Sequence, residues 1–466
     1  MTLTQVTGTR LYLAVGRVSF LTICAGLLFG YSTASIAGWL DEIGREFSLG
    51  TGGKEYVTVS LVFCCFLGAI AAGPLARAFG RRITLLTAFG LAAAGYGLTL
   101  THPDLPGLIA ARVLIGLSVG LSSMAGPMYA GEATPARFRG SVVSLFQLAV
   151  TMGILAAYTV PLLIEDPAAW AHGIGLGIVI AVAGFAALLM VPESPVWLAR
   201  VGRNAEAEAV SASLGLERVP VAEGAARPTL SLWKTLRIGS TPAVLTLCCG
   251  LFILQNLSGI DGILYYAPAI FVDLGFSPGT AALGATFGLG LINLIATVVA
   301  IATVDRLGRR PLAIFGSLVM VIGLLGVVAA QVWSLPILGL IALCVYIGAF
   351  AVSLGPLPYV LMSELVPSTI RETGISVASA TSWLFNALIA FVFLTGVSSI
   401  GLDGVFLIFA AVCVCSLVIS LVWLPETKSR NLATIESNVI AGIPLRQLGD
   451  ANQGHAPAQD ASSSLK

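Results

Sequence analysis

Long apolar segments recur along the chain and alternate with short polar stretches. A helix needs roughly 20 apolar residues to cross the hydrocarbon core of a bilayer, which is about 30 Å thick. By this criterion the sequence predicts twelve membrane-spanning helices, at residues 14–39, 56–76, 83–101, 107–130, 140–163, 173–191, 241–271, 280–304, 311–331, 336–362, 373–396 and 402–424. The pattern therefore predicts an all-α polytopic membrane protein.

Three polar segments divide the chain into two bundles of six helices each. Residues 1–13 are an N-terminal tail, residues 193–240 a linker with short amphipathic helices, and residues 425–466 a C-terminal tail that we expect to be partly disordered. The bundles are expected at residues 14–192 and 241–424.

Basic residues concentrate on one side of the predicted bundles. The other side carries only Arg45 and Lys54. Because cytoplasmic loops carry an excess of Lys and Arg, we expect both tails and the linker to be cytoplasmic, and a location in the cell inner (cytoplasmic) membrane. The basic loop residues are Arg77, Arg81, Arg82, Arg137, Arg139, Arg306, Arg309, Arg310 and Arg371.

The composition agrees with this class and excludes several others. Hydrophobic residues make up 57% of the chain, charged residues only 10%, and the mean hydropathy is +0.95. A net charge of +1 gives no reason to expect a nucleic-acid partner. The eight cysteines and three histidines show no metal-ligand spacing, and no catalytic constellation appears, so we expect neither an enzyme nor a cofactor.

The two halves repeat each other. FGRR at 79–82 recurs as LGRR at 307–310, Glu132 with Arg139 recurs as Glu364 with Arg371, and PESP at 192 recurs as PETK at 425. Such repeats are typical of transporters that bind their substrate between the two halves near mid-membrane and open alternately to either side.

A polar cluster at residues 254–268 interrupts the seventh predicted span. Polar groups at membrane depth are costly unless they find partners or line a cavity, so such a cluster indicates a functional site. The helix is expected to break beside Gly259 and Gly262, and the site should recognise hydroxyl or amide groups. The polar members are Gln255, Asn256, Asp261, Tyr265 and Tyr266.

Taken together, the motifs resemble those of the sugar porter family of the major facilitator superfamily, which implies that fold. The resemblance covers about residues 14–436. Its carriers are LLFGYSTASIAG (27–38), RVLIGLSVG (112–120), PMYAGEATPARFRG (127–140), PESPVWL (192–198), QNLSGIDGILYYAP (255–268), VDRLGRRPL (304–312), GPLPYVLMSELVPSTIR (355–371) and PETKSRNLATIE (425–436).

The resemblance implies a site for a sugar or sugar-like polyol. Amide side chains both donate and accept hydrogen bonds, as sugar hydroxyls do. Any single amide could instead join two helices, and any single aromatic could be core packing. The implied binding residues are Phe29, Thr33, Gln147, Ile154, Gln255, Asn256, Asp261, Asn293, Phe350, Gly355, Tyr359, Ser382, Trp383 and Asn386.

The chain departs from the family pattern at the residues implied in energy coupling. Proton symporters of the family carry an acid on the first helix, paired with an arginine on the fourth; here these positions are Ser32 and Arg112. Facilitators also lack the acid, so uniport is the simplest implication. Asp261, where the family usually has Asn, is a candidate proton site instead, and equally a substrate contact. Only Arg112 and Asp261 are expected as charges well inside the spans.

The resemblance also implies gates at both ends of the transport path. Tyr265 and Tyr266 resemble an outer gate, although paired aromatics also serve as interfacial anchors. Charged residues on the basic side resemble an inner gate of ion pairs, although the arginines alone could be topology signals. These are Arg81, Arg82, Glu132, Arg139, Glu193, Asp305, Arg306, Arg309, Glu364, Arg371 and Glu426.

The expected partners are a small sugar or polyol, membrane lipid and, if transport is coupled, protons. The chain is expected to act as a monomer. A membrane sugar sensor on the same fold would keep the binding site and is the alternative to transport; such sensors usually carry a long cytoplasmic extension, whereas the tail here is short. The identity of the sugar stays open, because one hydroxyl or methylene changes binding by only about 1–3 kcal/mol.

Overall fold

Helices form all the regular secondary structure of the residues described by this computed structural model, namely 8–164, 166–216, 239–367, 371–428, 430 and 432–450. The first half contains α1 (Gly8–Ala34), α2 (Leu40–Glu46), α3 (Thr51–Phe79), α4 (Arg81–Leu100), α5 (Leu105–Ala133), α6 (Ala136–Leu163), α7 (Trp170–Gly175), α8 (Gly177–Leu189), α9 (Pro195–Arg200) and α10 (Asn204–Leu214). The second half contains α11 (Thr241–Leu257), α12 (Ile260–Asp273), α13 (Thr280–Leu307), α14 (Arg309–Val332), α15 (Pro336–Val352), α16 (Leu357–Leu365), α17 (Arg371–Val422) and α18 (Leu432–Ile440).

Within the described residues, eleven helical segments are long and apolar enough to cross a membrane. The last of them, Val377–Val422, runs for 46 residues but is interrupted at Gly401, whose φ is 78°. A helix rises about 1.5 Å per residue, so this segment is long enough for two crossings. The described residues therefore contain enough helix for twelve crossings, and the short helices α9 and α10 begin the segment between the halves. The rest of the linker, residues 217–238, and the end of the C-terminal tail, residues 451–466, lie outside the described part.

Among the described residues, the halves meet mainly where α3 packs against α17 and α6 packs against α13, with a smaller contact between α1 and α12. We call the end of the bundle that carries Arg81, Arg82, Arg309 and Arg310 the basic face, and the other end the opposite face. Near the opposite face, the hydroxyl of Tyr158 on α6 donates to the carbonyl of Leu264 on α12 at 2.6 Å.

Two spans of the second half are broken near mid-membrane. One break separates α11 from α12 at Ser258 and Gly259, and the other separates α15 from α16 at 353–356. Gly259 adopts a left-handed φ of 93°, and a Cβ there would lie 2.2 Å from the ring of Phe409. Only glycine meets both conditions without strain, so the predicted break of the seventh span has a local cause in the sequence.

Replacing Gly259 by Ala should lower the free energy of unfolding by about 2 kcal/mol, because the new methyl group strains the backbone and collides with Phe409. The matched control is Gly250→Ala in α11, where a Cβ meets nothing within 4 Å and alanine favours the helix. Thermal unfolding of both variants in detergent measures the difference. Equal melting temperatures for G259A and G250A would show that the break does not depend on this glycine.

Candidate functional site

A cavity of about 120 Å³ lies between the two halves. It is lined by every residue that the sequence analysis assigned to substrate binding: Phe29, Thr33, Gln147, Ile154, Gln255, Asn256, Asp261, Asn293, Phe350, Gly355, Tyr359, Ser382, Trp383 and Asn386. We call this space the central cavity. These residues come from both halves of the chain, and the fold brings them all to one place.

The lining also includes residues that the sequence analysis did not single out. Thr151 and Thr297 are the most informative of these, because each lies four residues after a predicted amide, Gln147 and Asn293. Residues four apart lie on the same face of a helix, so this spacing could have identified both threonines. Smaller apolar members, such as Ala34 and Ala351, carry no such signal in the sequence.

Gln255 connects the two broken spans. Its amide nitrogen donates to the carbonyl oxygens of Leu354 and Gly355, each at 2.8 Å, which belong to the break between α15 and α16. The neighbouring Asn256 donates to the Phe252 carbonyl at 2.7 Å and to the Ser382 hydroxyl at 3.1 Å. Both amides therefore hold the walls of the central cavity together, whatever else they bind.

Gln147 and Asn293 differ from this pair. Within the described part of the chain, neither side-chain amide has a hydrogen-bond partner, although Asn293 is only 6% exposed. An amide that serves only to join helices would be bonded to the next helix. The arrangement favours the interpretation in which these two amides bind a polar molecule in the central cavity.

Asp261 is the one acidic residue that lines the central cavity, among the described residues. Asn386 lines the same cavity, and the oxygen of its amide accepts a hydrogen bond from Tyr265 at 3.0 Å. In the described part of the chain, no Lys or Arg lies within ion-pair distance of Asp261. The site thus presents a carboxylate at membrane depth that amide and phenol groups surround.

Aromatic rings close one side of the central cavity. Phe29 of the first half and Trp383 of the second lie 5.2 Å apart between ring centroids. Tyr359 is 45% exposed, and Gln147 is also exposed, so the cavity communicates with solvent on their side. Tyr266 is buried, stacks on Phe393 at 5.3 Å and donates to the carbonyl of Ala390.

Of the residues expected in coupling, Ser32 and Arg112 are buried, and Arg112 forms no ion pair with Asp261. The Ser32 hydroxyl lies 2.7 Å from the hydroxyl of Tyr96. Arg112 is 2% exposed and donates to the backbone carbonyls of Val57 at 2.6 Å and Thr58 at 3.1 Å. Two backbone carbonyls thus accept hydrogen bonds from the guanidinium, and a neutral hydroxyl pair stands where related symporters are expected to place an acid.

A further acidic side chain is buried near the end of a span. Glu55, in the first turns of α3, is 2% exposed. The sequence pattern places the start of the second span at residue 56, because Thr51, Gly52, Gly53 and Lys54 resemble a loop, and it therefore does not mark Glu55.

At the basic face, the first half forms its own charge network. Arg81 pairs with Glu132 at 2.7 Å, and their side chains are only 4% and 17% exposed. Glu193 accepts hydrogen bonds from the backbone N–H groups of Arg81 and Arg82, rather than from arginine side chains. Burial raises the pKa of the Glu193 carboxyl, and the N–H groups and the charge of Arg81 offset part of that rise.

The second half repeats this arrangement. Arg309 pairs with Glu364 at 2.8 Å, and Glu426 accepts from the backbone N–H groups of Arg309 and Arg310. Gly80 and Gly308, which precede the arginines, share a φ of 95°. A Cβ on either would lie within 2.7 Å of the carboxylate of Glu193 or Glu426, so only glycine allows both contacts.

Two other residues expected in the gate, Arg139 and Arg306, form no ion pair with these networks among the described side chains. Arg139 and Arg306 are exposed, and the backbone carbonyl of Arg306 accepts a hydrogen bond from Lys428. The side chains of Asp305 and Arg371 lie outside the described part of the structure.

Comparison with known proteins gives a consistent result. Residues 18–438 match the family model described as sugar (and other) transporter. The chain is 34% identical over 446 residues to the galactose-proton symporter of Escherichia coli K12, covering 93% of this chain and 96% of the relative. It is 32% identical to the arabinose-proton symporter of the same strain, covering 93% and 95%.

Solved structures of the xylose transporter XylE from Escherichia coli share the fold. A partially occluded inward-open form has a TM-score of 0.76 and 28% identity, covering 90% of this chain and 100% of that chain. A form of this major facilitator superfamily proton:xylose symporter bound to 6-bromo-6-deoxy-D-glucose has a TM-score of 0.74 and 27% identity, covering 94% and 98%. The prediction of a twelve-helix major facilitator fold in two bundles is confirmed.

The charge network at the basic face generates a stability prediction. Arg81→Met should lower the free energy of unfolding by about 3 kcal/mol, because it leaves the mostly buried Glu132 carboxylate without its cation. Arg77→Met is the matched control, since Arg77 is exposed in the same segment and should change stability by less than about 0.5 kcal/mol. Thermal unfolding in detergent compares the two. If R81M unfolds at the same temperature as R77M, the Arg81–Glu132 pair does not stabilise the fold.

Proposed function

Because the chain belongs to the sugar transporter family, we propose that it carries a sugar or sugar-like polyol across the membrane by alternating access. The family and the fold are those of membrane porters rather than enzymes. The observation that carries the proposal is the central cavity, where amides, hydroxyls and aromatic rings from both halves line one space. Gln147 and Asn293 support it most strongly, since their amides have no partner among the described residues.

We also propose that both termini face the cytoplasm, so that the basic face is the inner one. The exposure of Gln147 and Tyr359 then corresponds to a central cavity open to the cytoplasm. The contact between Tyr158 and the Leu264 carbonyl, between the two halves, belongs to the closed outer side. The charge networks at the basic face each join helices within one half and are formed in this open state, so as a candidate inner gate they would act by fixing each half rather than by pairing the halves.

For energy coupling, we propose proton symport with Asp261 as the proton site. Relatives of this chain are proton symporters of galactose and arabinose. Ser32 cannot take the role of the missing first-helix acid, and Asp261 is the acidic residue that lines the central cavity among the described residues. Carboxylates at membrane depth commonly act as proton relays in transporters. Because Asp261 lines the same cavity as the implied binding residues, substrate binding would alter its surroundings.

Facilitated diffusion is the second candidate, and a specific observation favours it. Ser32 and Tyr96 form a neutral hydroxyl pair, and backbone carbonyls hold Arg112. None of these groups has to gain a proton for the hydrogen bonds of this arrangement to form. In that case Asp261 would serve as a hydrogen-bond acceptor for the substrate and would keep one protonation state during transport.

The amide prediction concerns substrate affinity. Gln147→Leu and Asn293→Leu should each weaken sugar binding about 3- to 10-fold, because each removes hydrogen bonds worth roughly 0.5–1.5 kcal/mol without a large change in size. Gln331→Leu is the control, since Gln331 lies outside the central cavity. Binding can be followed by tryptophan fluorescence with galactose, arabinose and xylose as probes. Unchanged affinity in both amide variants would argue against this cavity as the sugar site.

The coupling prediction concerns Asp261. Asp261→Asn should abolish accumulation driven by a proton gradient and make exchange of sugar across the membrane independent of pH, because the amide cannot titrate. Asp273→Asn, at the other end of the same helix, should leave gradient-driven accumulation intact. Uptake into proteoliposomes with imposed gradients measures both variants. Accumulation by D261N at the wild-type level would eliminate Asp261 as the proton site.

A further inference from the structure

Glu55 contacts the other half of the protein directly. One oxygen of its carboxylate accepts from the backbone N–H of Thr395 at 2.7 Å, and the other accepts from the Thr395 hydroxyl at 2.6 Å. Glu55 lies on α3 of the first half and Thr395 on α17 of the second. The Glu55 carboxylate is only 2% exposed, and both of its oxygens bond to one residue of the opposing half. Ionised groups are rarely buried without a specific partner, so Thr395 is the partner that allows this burial.

The Glu55–Thr395 contact lies close in sequence to residues that border two spaces, a cleft and the central cavity. A cleft of about 690 Å³ lies near the opposite face, and its lining includes Lys54 and Leu394, the neighbours in sequence of Glu55 and Thr395. On the other side, Tyr265 lines the central cavity, and Tyr266 stacks on Phe393 of α17. The Glu55–Thr395 contact is therefore bordered in sequence by residues that line the cleft and by Phe393, which packs against Tyr266.

The hydrogen bonds between Glu55 and Thr395 favour the conformation in which α3 and α17 are in contact. Hydrogen bonds to an ionised group are roughly twice as strong as those between neutral groups, and burial protects them from competition with water. Both bonds cross the boundary between the halves, so a rocking motion that parts α3 from α17 must break them together. Transporters built from two repeats open by such relative motion of their halves.

We propose that Glu55 and Thr395 form a latch that holds the opposite face closed and whose release joins the cleft to the central cavity. The transport consequence rests on the proposed function, whereas the latch itself is a property of the free protein. Glu55 and Thr395 are 340 positions apart in the sequence, and neither lies in the motifs that repeat between the two halves.

Hydrogen–deuterium exchange followed by mass spectrometry tests the latch on the full-length protein without substrate. The backbone N–H of Thr395 donates to Glu55, so its exchange reports the latch directly. Glu55→Ala should speed exchange about tenfold or more in the segments around residues 50–58 and 391–398, corresponding to at least about 1.4 kcal/mol. Thr395→Val removes only the hydroxyl and should have a smaller effect in the same segments.

The control is Thr381→Val, the same substitution on the same helix, where the hydroxyl donates to the Val377 carbonyl of its own helix. Exchange near the opposite face should not change in T381V. The double variant E55A/T395V should exchange no faster than E55A, because both changes remove the same interaction. Glu55→Gln keeps the size of the side chain and should lie between wild type and E55A, which guards against misfolding of the alanine variant.

Wild-type exchange rates in E55Q and T395V alike, with both proteins folded, would overturn the latch. Sugar uptake by the wild-type protein distinguishes this failure from that of the proposed function. Uptake together with unchanged exchange would reject the latch alone. Faster exchange in E55A without any sugar uptake by the wild type would support the latch and reject the transport proposal.

Discussion

Backbone carbonyl groups at membrane depth need donors, and this requirement shapes the centre of the molecule. The break between α15 and α16 frees the carbonyls of Leu354 and Gly355, and Gln255 donates to both. An unsatisfied polar group in the hydrocarbon region costs several kcal/mol, so these bonds tie the break of one span to the break of the other. The walls of the central cavity are held in place as a result, before any substrate binds. The cavity therefore results from the way in which one interrupted span supplies hydrogen-bond donors to the free carbonyl groups of the other.

The hydrogen bonds and ion pairs divide into two kinds with different effects. At the basic face, Arg81–Glu132 and Arg309–Glu364 join helices within one half, so each half is stabilised as a unit. Near the opposite face, Glu55–Thr395 and Tyr158–Leu264 join the halves to each other. Rigid halves with a few strong contacts between them can move as bodies when those contacts break. This division is the arrangement that alternating access requires.

Much of the fold could be predicted from the sequence, because apolar runs of membrane length and a repeated motif are local features. The substrate residues could be named because family motifs mark them, and the fold brings them all to the central cavity. Their role in binding stays a prediction. Glu55 was missed for a physical reason: its partner lies on a distant helix, and the polar residues before it resemble a loop. Likewise, Glu193 was expected to pair with arginine side chains, and only the turn at Gly80 reveals that it contacts backbone N–H groups instead.

The most direct test of the account is the uptake of radiolabelled galactose, arabinose, xylose and polyols into proteoliposomes, with and without an imposed inward proton gradient. The account predicts that at least one of these sugars or polyols accumulates above its outside concentration, and that an uncoupler abolishes the accumulation. Equilibration of a sugar without regard to the gradient would contradict coupling and leave a facilitator. Uptake of every compound at the level of protein-free liposomes would contradict the assignment of the central cavity as the path of a sugar.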